Sequence, residues 1–268
     1  MGVERQLGVA ALMTAGAVLV ASLGSVGVAN AQPVTPAAPA VVAQAGAQAA
    51  APEFVAPGKT LKIGAKGNEV KVLQGRLKEL GYAPGKIDGR YGGATQAAVW
   101  AFQKVNGISP TSTVASRTWN ALEAPKAPKV LVPGGKPTRV EMNLAKQVMV
   151  LYVNGQVKLI SHTSSGSGIP YCETANWNGK VQRFCGDART PTGDYKTTWR
   201  RSGWHKSYLG QLYNPIFFNG GIAFHGALSV PLAPASHGCV RLPMNVAGML
   251  PSLLGKNVPV HVRGKFVR

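Results

Sequence analysis

The fold is decided by the stretch "KQVMVLYVNGQVKLI", residues 146–160, in which apolar residues alternate on both sides of Asn154-Gly155. A period of two predicts β-strands, and an Asn-Gly pair between two such runs is the strongest short signal for a hairpin. Further short strands are predicted at residues 193–199, 216–225 and 258–262. Residues 138–264 are therefore predicted to form a mainly-β domain, either a sandwich or a partly open barrel.

Helical periodicity dominates residues 59–124 instead. The apolar residues at helical spacing are Val70, Leu73, Leu77, Leu80, Ala98, Phe102, Val105, Trp119 and Leu122. Thr95 and Ser116 are predicted to cap the second and third of three helices. One late helix is predicted from Asn245 to about Leu254. The predicted fold class is α+β multidomain: a small three-helix bundle, then a mainly-β domain with one late helix.

The N-terminal segment predicts export. Leu7 to Ala29 is an unbroken run of apolar and small residues, and Ala29-Asn30-Ala31 has the form of a signal-peptidase site. Residues 1–31 are therefore predicted to be a cleaved signal peptide, with an uncleaved membrane anchor as the alternative. Either alternative places the remainder of the chain outside the cytoplasm, in a cell-wall or periplasm-like space or in the medium.

Two segments are predicted to be linkers. Residues 32–58 are mostly Ala, Pro, Val and Gln with almost no charge, which is typical of a disordered tether. Residues 125–137 are rich in Pro, Gly and Lys and separate the helical from the β region.

The charge of the chain predicts a polyanionic partner. The sequence has 29 Lys and Arg against 10 Asp and Glu, a net charge of +19. Such a surplus attracts nucleic acid, anionic lipid or an acidic wall polymer. Because the chain is predicted to be exported, we expect no nucleic-acid partner, and a membrane contact only through an uncleaved signal segment.

Two of the three cysteines are predicted to form a disulfide. A two-residue turn at Asn178-Gly179 pairs Trp177 with Lys180 and, counting outward, Cys172 with Cys185. In this register the pair is non-hydrogen-bonded, where Cα atoms are about 4.5 Å apart, within reach of a disulfide. An exported protein meets the oxidising conditions that such a bridge requires.

The third cysteine, Cys239, lies in "PASHGCVRLP", residues 234–243. An unpaired cysteine in an exported protein is an intermolecular partner or a reactive thiol. His225 ends a predicted strand, and a Pro-containing loop returns from it to Cys239, so its imidazole is a candidate base for the thiol. Gly238 lets successive backbone N–H groups converge on one point, as an oxyanion requires.

Other chemistries find less support in the sequence. It contains no Cys-x-x-Cys and no His-Glu-x-x-His, and its five histidines are scattered, so no metal site is predicted. A serine nucleophile is not supported either, because Gly-x-Ser-x-Gly and Ser-x-x-Lys are both missing.

The stretch "FHGALSVPLAPASHGCVRL", residues 224–242, resembles the signature of the YkuD-type L,D-transpeptidases. In that signature a histidine precedes a loop, followed by Ser/Thr-His-Gly-Cys, an apolar residue and Arg or Asn. The sequence "TPTGDY", residues 190–195, also recurs in that family. The resemblance covers about Arg139 to Val262. One departure is the connection between His225 and Ser236, which is shorter than in many members.

The helical region resembles the three-helix peptidoglycan-binding module. "VLQGRLKELGY" (residues 72–82), "IDGRYG" (residues 87–92) and the spaced "T…AV…FQ" (from Thr95 to Gln103) stand in the expected order. Both resemblances imply the same polymer, peptidoglycan, as the partner.

The family resemblance implies a role for each matching residue. Cys239 would attack the carbonyl between the L-centre of diaminopimelate and the terminal D-alanine of a stem tetrapeptide, with His225 taking the thiol proton. The backbone N–H groups of His237, Gly238 and Cys239 would form the oxyanion hole. Ser236 and the His237 side chain would hold this loop, with His237 also sharing in proton handling. A diaminopimelate amine would then resolve the thioester into a 3→3 cross-link, without metal or organic cofactor. Carbapenem-type β-lactams would be covalent inhibitors.

Several assignments stay open. Arg241 and Phe224 are expected to contact substrate, although Arg241 has the alternative of bracing the cysteine loop. The cluster Trp199–Lys206 either lines an acidic glycopeptide groove or forms a solvated strand or loop with a few packed rings. His162 and His261 are interpreted as structural.

Three rival functions have to be weighed. A sortase-like enzyme would need Thr-Leu-x-Thr-Cys, which is missing. An L,D-carboxypeptidase would transfer the same acyl group to water. A non-catalytic wall-binding protein would hold Cys239 inert.

Overall fold

The structure, a computed structural model, describes residues 53–267. The predicted signal peptide and residues 32–52 of the predicted tether lie outside this range. None of the helices within it is long and apolar enough to span a bilayer.

The N-terminal part of the described chain is a three-helix module. It contains α1 (Asn68–Glu79), α2 (Gly93–Asn106) and α3 (Ser116–Glu123), with a small antiparallel pair of strands, β1 (Leu61–Lys62) and β2 (Thr113–Val114). The module has an apolar interior, in which Trp119, Tyr91, Phe102, Leu73 and Leu77 are each 0–1 % exposed. Gly107 ends α2 in the left-handed conformation (φ 74°), which a residue without Cβ adopts at no steric cost.

The two predicted helix caps are wrong. The second helix starts two residues before Thr95, at Gly93, and the Thr95 hydroxyl donates instead to the carbonyl of Pro84 at 3.0 Å. Ser116 is the first residue of α3 rather than its cap, and no side chain caps that helix. Thr95 is buried, so its hydroxyl has to find a partner in the interior, and the Pro84 carbonyl meets that need.

The C-terminal part is a two-sheet β-domain with one helix, as predicted. Its elements are β3 (Arg139–Asn143), β4 (Val148–Val153), β5 (Gln156–His162), β6 (Tyr171–Trp177), β7 (Lys180–Gly186), β8 (Gly193–Lys196), β9 (Trp204–Ser207), β10 (Gly210–Asn219), β11 (Ile222–Gly226), β12 (Val240–Leu242), α4 (Met244–Leu253) and β13 (Pro259–Arg263). One sheet has the order β5-β4-β3-β13-β8 and the other β12-β11-β10-β9, while β6 and β7 form a separate hairpin. Apolar residues of both sheets and of α4 share one core. The predicted α+β class is confirmed.

Strand β4 is buried on both faces. Val148, Val150 and Tyr152 pack into the core of the helical module, together with Ile160 of β5. The intervening Met149 and Leu151 pack into the core between the sheets. Because burying one such side chain stabilises the fold by about 1.5–3 kcal/mol, the helical module and the β-domain are held together by a common apolar core.

Polar contacts fix the same interface. The Ile160 backbone N–H donates to the Gly81 carbonyl at 2.8 Å, and the Asn245 amide donates to the Ala83 carbonyl at 2.9 Å. The linker predicted at residues 125–137 is tied down as well, because the Leu131 N–H donates to the buried Glu141 carboxylate at 2.7 Å.

Candidate active site

The pairing of β11 with β12 brings the candidate base to the cysteine segment. The two strands are parallel, and His225 stands opposite Arg241 in their register. Parallel neighbours need a connection that crosses back, and residues 227–239 supply it. Cys239 therefore lies immediately before β12, beside the strand that carries His225.

Cys239 and His225 line one cavity of about 820 Å³. The Cys239 thiol lies 3.6 Å from the carbonyl oxygen of Gly221. Burial raises the pKa of this thiol, while a hydrogen bond from the Ala223 backbone and the charge of Arg241 act in the opposite direction. At neutral pH the resting group is therefore a thiol rather than a thiolate.

His225 is held as a neutral base. Its ring is 4 % exposed, and burial lowers its pKa to about 4. The Nδ1 atom lies 2.9 Å from the Gly226 carbonyl, which only accepts hydrogen bonds, so we assign the ring proton to Nδ1. This leaves the Nε2 lone pair free to take a proton.

The turn before Cys239 is locked by two hydroxyls. Ser236 Oγ donates to the Cys239 carbonyl and accepts from the Gly238 N–H at 3.0 Å. Thr190 Oγ1 donates to the Gly238 carbonyl at 2.6 Å. Gly238 has φ 136°, and a Cβ there would stand 3.0 Å from the Arg189 carbonyl oxygen, so only glycine fits.

This locked turn changes the predicted oxyanion hole. Since the Gly238 N–H is bonded to Ser236 Oγ, it is committed to the turn itself. The N–H groups of His237 and Cys239 are the remaining candidates among the three predicted donors. Thr190 was not among the predicted site residues. It is the first residue of the "TPTGDY" motif, and this motif was the sequence feature that could have indicated its contact with the cysteine turn.

His237 faces the β6–β7 hairpin. Its Nε2 lies 2.7 Å from Glu173 Oε1, and its ring packs edge-on against Tyr171 with centroids 4.6 Å apart. The side chain thus connects the cysteine turn to the hairpin.

The hairpin contains the predicted disulfide. Trp177 pairs with Lys180 and Cys172 with Cys185, in the register that the Asn178-Gly179 turn predicts. The two Cα atoms are 4.0 Å apart and the sulfur atoms are bonded. Nearly all other side chains of the hairpin are exposed or half-buried.

An aromatic wall lines the same cavity. From the cluster singled out in the sequence, Trp199, Trp204 and His205 lie in the lining. Trp199 stacks on Phe217 with centroids 3.7 Å apart and is still 42 % exposed, and Trp204 is 50 % exposed. Both interpretations of the cluster keep support, because residues Trp204–Ser207 form an exposed edge strand with packed rings, and three of the cluster's side chains line the cavity.

The two residues expected to contact substrate differ in their position. Arg241 lines the cavity, and its backbone pairs with Ser164. The prediction for Phe224 is wrong, because its ring is 0 % exposed in the core and packs against Phe218 with centroids 4.6 Å apart. Phe224 and His225 are adjacent on a strand, so they face opposite sides, and only His225 faces the cavity.

Comparisons with known proteins agree with this geometry. The peptidoglycan binding domain family matches residues 66–122, and the L,D-transpeptidase catalytic domain family, YkuD, matches residues 137–262. None of the curated proteins matches the sequence.

Solved structures add one strong similarity. The crystal structure of an L,D-transpeptidase from Xylanimonas cellulosilytica is 37 % identical, with 80 % of this chain and 98 % of that chain covered and a TM-score of 0.66. An L,D-transpeptidase from Stackebrandtia nassauensis is 23 % identical over 77 % of this chain and 96 % of that one, with a TM-score of 0.43, too low to support an argument. On the first similarity and the two family matches together, the chain belongs to the L,D-transpeptidase family.

Proposed function

We propose that this L,D-transpeptidase is exported and forms 3→3 cross-links in peptidoglycan through a thioester on Cys239. The observation that carries the proposal is the shared cavity, in which the free thiol of Cys239 and the neutral ring of His225 lie next to an aromatic wall. The hydrogen bond from His225 Nδ1 to Gly226 supports it further, because this bond leaves Nε2 as the proton acceptor.

The first step is acylation. The Cys239 sulfur attacks the carbonyl carbon that joins the L-centre of diaminopimelate to D-alanine, and the thiol proton moves to His225 Nε2. Because burial disfavours both thiolate and imidazolium, proton transfer accompanies the attack rather than preceding it. The N–H groups of His237 and Cys239 receive the developing oxyanion. The C–N bond then breaks, His225 returns the proton to the departing amine, and D-alanine leaves.

The second step is transfer. The side-chain amine of a neighbouring diaminopimelate attacks the thioester carbonyl and gives a proton to His225. The carbon–sulfur bond breaks, the sulfur regains this proton, and an amide joins the two stem peptides. The enzyme ends in its starting protonation state, so the cycle needs no cofactor.

Two features support peptidoglycan as the substrate. The residues that match the peptidoglycan binding domain family are packed onto the β-domain that carries the cavity. The net charge of +19 attracts an acidic wall polymer.

The guanidinium of Arg241, which lines the cavity, is the candidate partner for a stem-peptide carboxylate.

The same chemistry extends to β-lactams. A carbapenem presents a strained amide carbonyl to the Cys239 sulfur, and ring opening leaves a thioester without a leaving group to expel. We therefore expect a stable adduct of one carbapenem per chain, observed as a mass increase equal to the whole drug.

Product analysis tests the proposal. The mature protein is incubated with a disaccharide-tetrapeptide, and the products are identified by mass spectrometry. A cross-linked dimer together with free D-alanine is the expected result. Monomeric tripeptide would instead indicate an L,D-carboxypeptidase, with water as acceptor. No product and no carbapenem adduct would indicate a non-catalytic wall-binding protein.

A variant isolates the role of the sulfur. Cys239→Ala is expected to abolish turnover and the adduct while binding to isolated cell walls is unchanged. Ser252→Ala is the matched control, because Ser252 is an exposed residue of α4 and is not among the residues that line the cavity. Turnover retained by Cys239→Ala would refute the thioester.

A further inference from the structure

A hydrogen-bonded bridge crosses from the helical module to the cysteine loop through His162. This histidine ends β5 and is 1 % exposed. Its Nδ1 lies 2.8 Å from the Lys104 ammonium nitrogen of α2, and its Nε2 lies 3.0 Å from the Val230 carbonyl oxygen. Trp100, also on α2, packs edge-on against the ring with centroids 5.2 Å apart.

The partners fix the direction of each bond in this bridge. The Val230 carbonyl only accepts, so Nε2 of His162 carries the ring proton and donates it. Nδ1 is then the acceptor for Lys104, whose ammonium group also donates to the Gln147 carbonyl at 3.3 Å. Burial and the nearby Lys104 charge lower the pKa of His162 to about 3, so the ring stays neutral and keeps this direction at neutral pH.

One branch of the bridge leads to the start of the cysteine loop. Val230 follows Ala227, Leu228 and Ser229, which line the cavity directly after the His225 strand. The hydrogen bond from His162 is thus made to the part of the loop that shapes the cavity rim.

The other branch leads to the end of the loop. Gln147 exchanges two hydrogen bonds with Ser165, from Ser165 N–H to Oε1 at 2.7 Å and from Nε2 to the Ser165 hydroxyl at 2.9 Å. The Ser165 carbonyl in turn accepts from the backbone N–H groups of Ala235 and Ser236, at 2.9 and 3.0 Å. Gln147 has a left-handed backbone (φ 50°), which a non-glycine residue keeps only where its surroundings enforce it.

We propose that Lys104, a residue of the peptidoglycan-binding module, is a positioning residue for the acyl transfer at Cys239. Through His162 it holds the beginning of the 227–235 loop, and through Gln147 it holds the end that continues into Ser236 and the cysteine turn. The helical module is then part of the catalytic apparatus as well as the wall-binding part of the chain.

The chemistry of Lys104 supports a directing role. Taking a lysine ammonium out of water is costly, and burial lowers the pKa of Lys104 to about 7. An apolar side chain would fill the same space without that cost. What the Lys104 nitrogen adds, as an ammonium or as a neutral amine, is two directed hydrogen bonds to groups that hold the loop.

The test compares Lys104→Met with Lys78→Met. Methionine keeps the apolar stem and removes the donor, while Lys78 is an exposed lysine on α1 and serves as the matched control. We expect Lys104→Met to lower kcat for the disaccharide-tetrapeptide on the order of tenfold, because small misplacements of reacting groups have effects of this size or larger. KM and binding to isolated walls should stay within twofold, and Lys78→Met should resemble the wild type.

A second pair of variants separates positioning from packing. Glutamine at position 162 still donates to the Val230 carbonyl and accepts from Lys104, whereas phenylalanine fills the space of the ring with no polar atom. We expect His162→Gln to retain most of kcat. His162→Phe should lose part of kcat, because it breaks only the branch to Val230, whereas Lys104→Met breaks both branches. The double variant Lys104→Met/His162→Phe should lose little more than Lys104→Met alone, because that change already breaks the His162 branch.

Three results would overturn the inference. They are kcat of folded Lys104→Met within twofold of the wild type, equal kcat for His162→Gln and His162→Phe, and a double variant whose loss is the product of the two single losses. If Lys104→Met does not fold, the difference in kcat between His162→Gln and His162→Phe tests the inference. The inference rests on the proposed function, and the experiment distinguishes their failures. A wild-type protein without transpeptidase activity refutes the proposed function. The role of Lys104 is tested by comparing the kcat of its variant with that of an active wild type.

Discussion

The helical module and the β6–β7 hairpin are both attached to the same β-domain, but by opposite means. The module shares an apolar core with β4 and β5, in which Val148, Val150, Tyr152 and Ile160 are at most 5 % exposed. The hairpin is mostly exposed, and its Val181 is 74 % exposed. It contacts the remainder of the β-domain through packing of aromatic rings and through the hydrogen bond between Glu173 and His237. Regions with little buried apolar surface open at low free-energy cost, so we expect the hairpin to open more readily than the module.

Under the proposed function, the cavity receives two stem peptides in succession, and the hairpin lies at its edge through Tyr171 and Trp177. The module, in contrast, is held at a fixed position on the β-domain by the shared core.

Removing the helical module should have the largest effect. A chain that begins at residue 125 exposes the four side chains that β4 and β5 bury against the helices, each worth about 1.5–3 kcal/mol. Their sum is comparable with the whole stability of a typical domain, about 5–15 kcal/mol. We expect aggregation or loss of cooperative unfolding, measured by size-exclusion chromatography and thermal circular dichroism. A soluble monomer that melts like the full chain would show that the shared core is unimportant.

A single cavity in the shared core should have a smaller but clear effect. Ile160→Ala is expected to lower the free energy of unfolding by about 2–5 kcal/mol, as large-to-small changes in a tight core do. Val157→Ala, on the same strand but 37 % exposed, is the control and should cost less than about 0.5 kcal/mol. One urea transition seen alike by fluorescence and circular dichroism would agree with a common core, and two transitions would contradict it.

Acidification should weaken the fold through buried neutral histidines. The pKa values of His162 and His225 lie at about 3 and about 4 in the folded chain, against about 6.5 when unfolded. Between these values the unfolded state binds more protons, so stability falls as pH falls from 6.5 towards 4. Each histidine should contribute a loss of about 2 kcal/mol between pH 7 and pH 5, measured by urea unfolding. His162→Gln should remove its share of this dependence, and an unchanged pH slope would argue against burial of the neutral ring.

The hairpin should respond to mutation only locally. Replacing Cys172 and Cys185 by serine removes a link worth about 3 kcal/mol in the chain-entropy account of a loop of this length. Because the hairpin lies outside both cores, we expect a nearly unchanged melting temperature, faster hydrogen exchange confined to residues 171–186, and a raised KM. A fall in melting temperature as large as that of Ile160→Ala would mean that the hairpin is an integral part of the fold.

Local signals predicted much of this structure. The Asn178-Gly179 turn predicted the register of the β6–β7 hairpin, the Asn154-Gly155 turn predicted a hairpin at β4 and β5, and the helical spacing from Val70 to Leu77 predicted α1. All three patterns depend on residues near one another in the chain. The cysteine and histidine of the candidate site were predicted for the same reason, since Cys239 stands in a dense motif and His225 at a strand end.

Other features depend on contacts that the sequence does not display. The run Val148–Val153 suggested a strand but not the helices that cover its second face. The commitment of the Gly238 N–H to Ser236, and the burial of Phe224, follow from how the turn and strand β11 lie in three dimensions. The bridge through His162 joins residues more than a hundred positions apart, from Lys104 to Val230, and no local pattern indicates it.

The two-sided burial of β4 also constrains how the chain pairs its strands. Sliding this strand by one residue against its neighbours would point Val148, Val150 and Tyr152 into the space filled by Met149 and Leu151, and the reverse. The side chains of β4 would then fit neither the core of the helical module nor the core between the sheets. The Asn154-Gly155 turn sets the pairing next to it, Tyr152 with Val157, and an irregularity between Leu151 and Tyr152 shifts the register for the remainder of the two strands. The turn and this irregularity together therefore set the alignment for two cores, and a change in either would misplace residues of both.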